Sequence, residues 1–190
     1  GATGIHAYAK YDATIVNTGD VTASARSEFG ITAAYGVIGH GKYYTHVDNA
    51  AGASIQASAM VGSLEGDNYG GRAISFGTHV FGNGMEHGVI TNAGSIVSHA
   101  ASSAESANLN PGLASAWGAS IGAYSNVLAG TVVNLGDIEA AASADFSYAT
   151  AYGAFVQTGF DSVISNAGTI HAGATAIEGN AFAVGGHAFA

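Results

Sequence analysis

Apolar residues recur at every second position in short segments separated by Gly and Asn. That is the spacing of half-buried β-strands and not of helices. The alternation is organised into a repeat, apolar-x-Asn-x-Gly-x-apolar-x-small. It reads IVNTGDVTA at 15–23, ITNAGSIVS at 90–98, VVNLGDIEA at 132–140 and ISNAGTIHA at 164–172. A fifth copy, VDNAAGASIQA at 47–57, carries two extra residues. An insertion of two preserves strand parity, so Val47, Asn49, Ile55 and Ala57 stay in phase.

A second motif, small-aromatic-Gly, lies between the Asn copies. It appears as Ala34-Tyr35-Gly36, Ser75-Phe76-Gly77, Ala116-Trp117-Gly118 and Ala151-Tyr152-Gly153, with degenerate copies at 2–4 and 183–185. The segment GIHAYAKYDATIVNTG at 4–19 aligns without gaps on GAFVQTGFDSVISNAG at 153–168. Repeats of this kind are the mark of stacked architectures.

The expected fold is all-β: one parallel β-solenoid domain over 1–190, with five to six rungs and three short strands per rung. One strand precedes Asn, one follows Gly, and one carries small-aromatic-Gly. Asn-x-Gly is expected to form a corner, because Gly and Asn accept positive φ. Stacking the rungs predicts an amide ladder of Asn17, Asn49, Asn92, Asn134 and Asn166 at the strand separation of about 4.8 Å. It also predicts a buried column of Val21, Ile55, Ile96, Ile138 and Ile170, with small residues at 23, 57, 98, 140 and 172 beside it. The aromatic column Tyr35, Phe76, Trp117 and Tyr152 is assigned to the core; its alternative is an exposed strip on which a ligand stacks.

Composition narrows the function classes. Gly supplies 29 residues and charged residues only 9%. Each Gly costs about 1 kcal/mol in a helix interior, which disfavours helices. A hydrophobic content of 48% disfavours disorder. The formal charge is -9 with four basic residues, so neither nucleic acid nor anionic lipid is an expected partner. No apolar run approaches the roughly 20 residues that span a bilayer. Cysteine is absent, which excludes disulfide and thiol chemistry.

The repeats xVxNxGxIxA and AxGI resemble those in the passenger regions of autotransporter-type and related β-strand-repeat adhesins of Gram-negative bacteria. The resemblance covers all five Asn copies. It implies a right-handed parallel β-helix, a secreted or cell-surface location, and a role in adhesion, biofilm or surface display. The expected function is therefore a structural or adhesive component of an extracellular fibre. The partners it suggests are a glycan or a host or cell surface. The alternative is a carbohydrate-binding or carbohydrate-cleaving β-helix protein. The strand types at 2–4 and 183–185 are the same, and neither carries a charged or helical cap. That fits an excerpt of a longer solenoid or a subunit that stacks end to end. In such a stack His187 and His6 become neighbours.

Candidate chemistry is sparse, and no enzyme activity is expected. Asp12 and Asp161 share a column, as do Asp20 and Asp137, but each pair is several rungs apart. Glycosidase carboxylates lie roughly 5–9.5 Å from one another. His6, His79 and His187 share a column interrupted by Ile38, Ser120 and Phe155, too sparse for one ion. GVIGHGKY at 36–43 approaches a phosphate-binding loop but lacks the Ser/Thr and the following helix, so it reads as a glycine-rich corner. No catalytic residue and no cofactor is assigned. Two insertions near 64–72 and 102–112 hold the best ligand candidates. Their Glu65, Asp67, Asn68, Tyr69, Glu105, Asn108 and Asn110 offer oxygen ligands to a glycan or a Ca²⁺ ion.

Overall fold

A computed structural model describes residues 1–28, 30–62, 71–82, 84–103, 112–122 and 127–190. The described residues form fourteen β-strands and no helix. In chain order they are β1 (Ala2–Tyr8), β2 (Asp12–Asn17), β3 (Asp20–Ser27), β4 (Ile31–His40), β5 (Tyr44–Asn49), β6 (Ser54–Val61) and β7 (Arg72–Phe81). The second half holds β8 (Met85–Asn92), β9 (Ser95–Ser102), β10 (Gly112–Ile121), β11 (Val127–Asn134), β12 (Asp137–Gln157), β13 (Asp161–Asn166) and β14 (Thr169–Phe189).

Every pairing between these strands is parallel, and each joins equivalent positions of successive repeats. One sheet runs β13-β11-β8-β5-β2. The other runs β1-β4-β7-β10-β12-β9-β6-β3, with β14 paired to β12. The two sheets face a common apolar interior, to which both contribute.

Two sheets, and not three separate strand columns, is a departure from the expectation. The cause lies in β12 and β14. Each is 21 residues long and carries both the strand that follows Gly and the one with small-aromatic-Gly. The first part of β12 pairs with β9 and the second with β10, which fuses the two rows. Earlier copies break at this place. Gly30, with φ 85°, separates β3 from β4. The insertions separate β6 from β7 and β9 from β10.

The five asparagines are in direct register, Asn17↔Asn49↔Asn92↔Asn134↔Asn166. Each Nδ2 donates to the Oδ1 of the next, at 2.9 Å for the first step and 2.8 Å for the following three. The remaining N–H capacity serves the corner. Asn134 Nδ2 also donates to the carbonyls of Gly136 and Thr169, both at 3.0 Å. Asn49, Asn92 and Asn134 are fully buried. A buried amide is tolerated only when its hydrogen bonds are made, and here the stack makes them.

Positive φ does not account for the corner glycines Gly19, Gly94, Gly136 and Gly168. Among the described glycines it is confined to Gly30, Gly52, Gly84 and Gly122. Gly136 and Gly168 are needed for another reason. A Cβ on Gly136 would lie 2.1 Å from the carbonyl oxygen of Gly94, and one on Gly168 2.0 Å from that of Gly136. At these two corners the carbonyl of the neighbouring repeat leaves no room for a side chain. Gly52, at φ 78°, turns the chain within the two-residue insertion. Register is kept across it, with Ile55 opposite Ile96.

The interior divides into two apolar clusters. One holds Val and Ile, including Ile55, Ile90, Ile96, Val132 and Ile138. The other is almost entirely Ala, including Ala57, Ala73, Ala116, Ala140 and Ala151. The column Gly36, Gly77, Gly118 and Gly153 lies where the wall passes from one to the other. A Cβ at Gly118 would meet Ile138 Cγ2 at 2.4 Å and the Gly153 carbonyl oxygen at 2.5 Å. The wall can turn there because the isoleucine of the facing strand fills the space.

Candidate functional surface

The aromatic column stacks as a column, and its middle is buried: Phe76 is 2% and Trp117 5% exposed, with Tyr35 and Tyr152 partly buried against them. Ala34 belongs to the alanine cluster, Gly36 abuts Ile55, and Val37 belongs to the Val/Ile cluster. Tyr35 therefore projects from the opposite face of the strand. The same holds for Phe76, Trp117 and Tyr152, which form a third cluster. Their rings are near parallel, with centroids 5.3 Å apart for Tyr35–Phe76, 4.5 Å for Phe76–Trp117 and 6.3 Å for Trp117–Tyr152. Stacking is worth about 0.5–1.5 kcal/mol per pair beyond area burial. The expected burial holds for Phe76 and Trp117, but in a cluster separate from the Val/Ile and Ala interior, because Gly36 and Val37 both face that interior and parity shifts by one at the Gly.

A second row, missed in the sequence, runs beside the first. Tyr8 stacks on His40 at 4.7 Å and His40 on Phe81 at 5.0 Å. The signal was an aromatic ring four residues after the Gly of the second motif, at Tyr8, His40, Phe81 and Phe189. Between the rows lies the column His6, Ile38, His79, Ser120, Phe155, His187.

His79 is the most perturbed group of this surface. It is 6% exposed, and its ring lies 4.4 Å from Phe76 and 5.1 Å from Phe81. Burial lowers its pKa to about 3, with the Ser120 backbone pulling the other way. The imidazole is neutral across the physiological range, and Nδ1 has no hydrogen-bond partner among the described residues. His79 lines a cavity of about 520 Å³ with Tyr35, Ile38, Phe76, Phe81 and Arg72. Apolar walls, one guanidinium and a neutral imidazole suit a mostly apolar or ring-bearing ligand with one acceptor group.

Elsewhere the outer surface carries isolated polar groups. His99 Nε2 lies 3.5 Å from Glu139 Oε1, both half-exposed. No group of three or more His, Asp or Glu able to hold a metal ion occurs among the described residues. Asp12 and Asp161 lie at opposite ends of one column, with Tyr44, His87 and Ala129 between. Asp20 and Asp137 are separated by Ser54 and Ser95. Neither pair converges. The glycine-rich segment at 36–43 is mainly strand β4, with a bend only after His40. The ligand candidates Glu65, Asp67, Asn68, Tyr69, Glu105, Asn108 and Asn110 all lie outside the described residues. No helix among the described residues is long and apolar enough to cross a membrane.

Comparison of the chain with protein-family models, with curated proteins and with solved structures finds no match in any of the three. The reading of function therefore stands on the repeat and its geometry.

Proposed function

We propose that this chain is a structural or adhesive component of a bacterial extracellular or cell-surface fibre, joined end to end and without enzyme activity. In this reading the strands wind as a right-handed parallel β-solenoid of five to six rungs, resembling autotransporter-type passenger regions. The observation that carries the proposal is the unbroken amide ladder from Asn17 to Asn166. It is accompanied by side-chain columns that keep their class from one repeat to the next. Such columns spend the sequence on axial regularity. Adhesion to a glycan or cell surface falls to the outer face.

Electron microscopy of the purified chain tests this. Long thin filaments are the expected result. A uniform population of single chains, together with turnover of any polysaccharide in a substrate screen, would overturn it. The cavity under Tyr35 and Phe76 favours carbohydrate binding as the second reading. It predicts saturable retention of the chain on a glycan array, weakened by F76A.

A further inference from the structure

The outer wall folds inward at the glycine column. Gly77 and Thr78 both face the interior, so Phe76 and His79 stand on the same outer face. Their rings approach to 4.4 Å. Residues three apart along a straight strand are about 10 Å apart. Tyr152 and Phe155 repeat this closure at 5.0 Å. The result is a concave elbow. The cavity of about 520 Å³ lies in it, lined from one side of the bend by Tyr35 and Phe76 and from the other by Ile38 and His79.

The rings of this cavity are turned edge-on. Both faces of Phe76 are covered, by Tyr35 and by Trp117, and Phe81 lies between His40 and His79 in the same way. An aromatic rim carries the positive side of the ring's charge distribution. Among the described residues no Asp or Glu lines the cavity, and its one cation is Arg72. The His79 imidazole adds no charge at neutral pH. Arg72 breaks the class of its column, Ile31–Arg72–Leu113, which is apolar on either side of it. It is half-buried, and its Nε is out of water without a hydrogen-bond partner among the described residues. No carboxylate among those residues pairs with it. A guanidinium held over apolar surface without a counter-ion gains from an anion that a ligand brings.

We propose that this elbow binds a ligand carrying a carboxylate on a six-membered ring, the carboxylate at Arg72 and the ring against the rim of Phe76. The planar guanidinium matches a carboxylate fork to fork. The rim favours electron-rich surface, which the face of an aromatic acid and the oxygens of a sugar acid both offer. A neutral sugar leaves the guanidinium without its counter-ion. The site lies on the outer face of β4 and β7, so the inference stands apart from the fibre reading. It bears on the carbohydrate reading by naming the charge that a glycan held here must carry.

The probes are phenylacetate and digalacturonate, each titrated calorimetrically against its own methyl ester. At least one acid is expected to saturate a single site, with its ester bound about tenfold or more weakly. Trp117, the one tryptophan of the chain, stacks on Phe76, and its fluorescence should change over the same concentrations. Arg72→Met keeps the apolar stem and should weaken the acid about tenfold or more. Arg26→Met, the same charge change at an exposed position outside the cavity, should leave binding unchanged. Equal binding of acid and ester, binding of neither acid, or equal loss in the two arginine variants would overturn the inference. The ester comparison uses the unaltered chain, so it decides even where Arg72→Met does not fold. Phenylacetate bound without digalacturonate supports the inference and removes the carbohydrate reading. Digalacturonate bound with its ester excluded supports both. Retention of neutral sugars alone on a glycan array would keep the carbohydrate reading and overturn this one.

Discussion

The two halves of the interior are both apolar, yet they are built from side chains of different size. One is filled by Val and Ile, the other by Ala. In the first, sheet β13-β11-β8-β5-β2 stands opposite the wall and leaves room for branched side chains. In the second, two rows of the same long sheet approach each other, and mostly small side chains lie between them. Where Ser replaces Ala there, the hydroxyls pair, Ser98 Oγ donating to Ser75 Oγ at 2.9 Å. The lesson is that rung shape is set by side-chain volume along each column. The glycine column marks where one volume gives way to the other.

Substitutions that exchange these volumes break the contrast. The largest effect is expected from Gly118→Val. Its Cβ would meet both Ile138 and the Gly153 carbonyl, and backbone cannot yield to it. Loss of cooperative folding in a thermal melt by circular dichroism is the expected outcome. Next is Ile96→Ala, which opens a cavity in the wide half and should cost about 2–5 kcal/mol in denaturant titration. Ala116→Leu adds volume to the narrow half. Overpacking there should cost about 1–3 kcal/mol in the same measurement. Ala116→Leu without loss would mean that the alanine half is not close-packed.

His79 tests whether the outer aromatic strip is a packing unit of its own, and its effect vanishes at neutral pH. The folded pKa of about 3 lies below the unfolded value of 6.5. The unfolded chain therefore takes up a proton first. Stability from this group is complete above pH 6.5 and falls by about 1.4 kcal/mol per pH unit as pH drops from 6.5 towards 3. His79→Phe should flatten that part of the pH–stability profile. An unchanged acid slope would place the imidazole in contact with solvent.

Much of the fold was legible because stacked strands repeat their chemistry at fixed offsets. Asn92 and Asn134 could be placed side by side from the motif alone. So could Ile96 and Ile138. What was not legible has physical causes. The fusion of strand types in β12 depends on the lack of a break at 145–147, and an absent signal is hard to read. The face of Tyr35 depends on two successive inward residues, Gly36 and Val37, and the first has no side chain to show it. The corner glycines were recognised for the wrong reason, since the crowding that requires Gly136 comes from a carbonyl more than forty residues away in sequence (Gly94). Of the candidate surface, the first aromatic row was found and the second was not. The buried state of His79 had no counterpart in the local sequence.

The direction of the backbone hydrogen bonds has a mechanical consequence. In these parallel sheets they run across the strands, along the line on which repeats are stacked. Traction spread over a whole layer strains its bonds together, and they share the load. Traction on a single edge strand strains them in turn, and the layer peels. A stack built this way would hold against drag and yield to plucking. Each layer removed would expose a template of the same kind beneath it, on which the lost one could re-anneal.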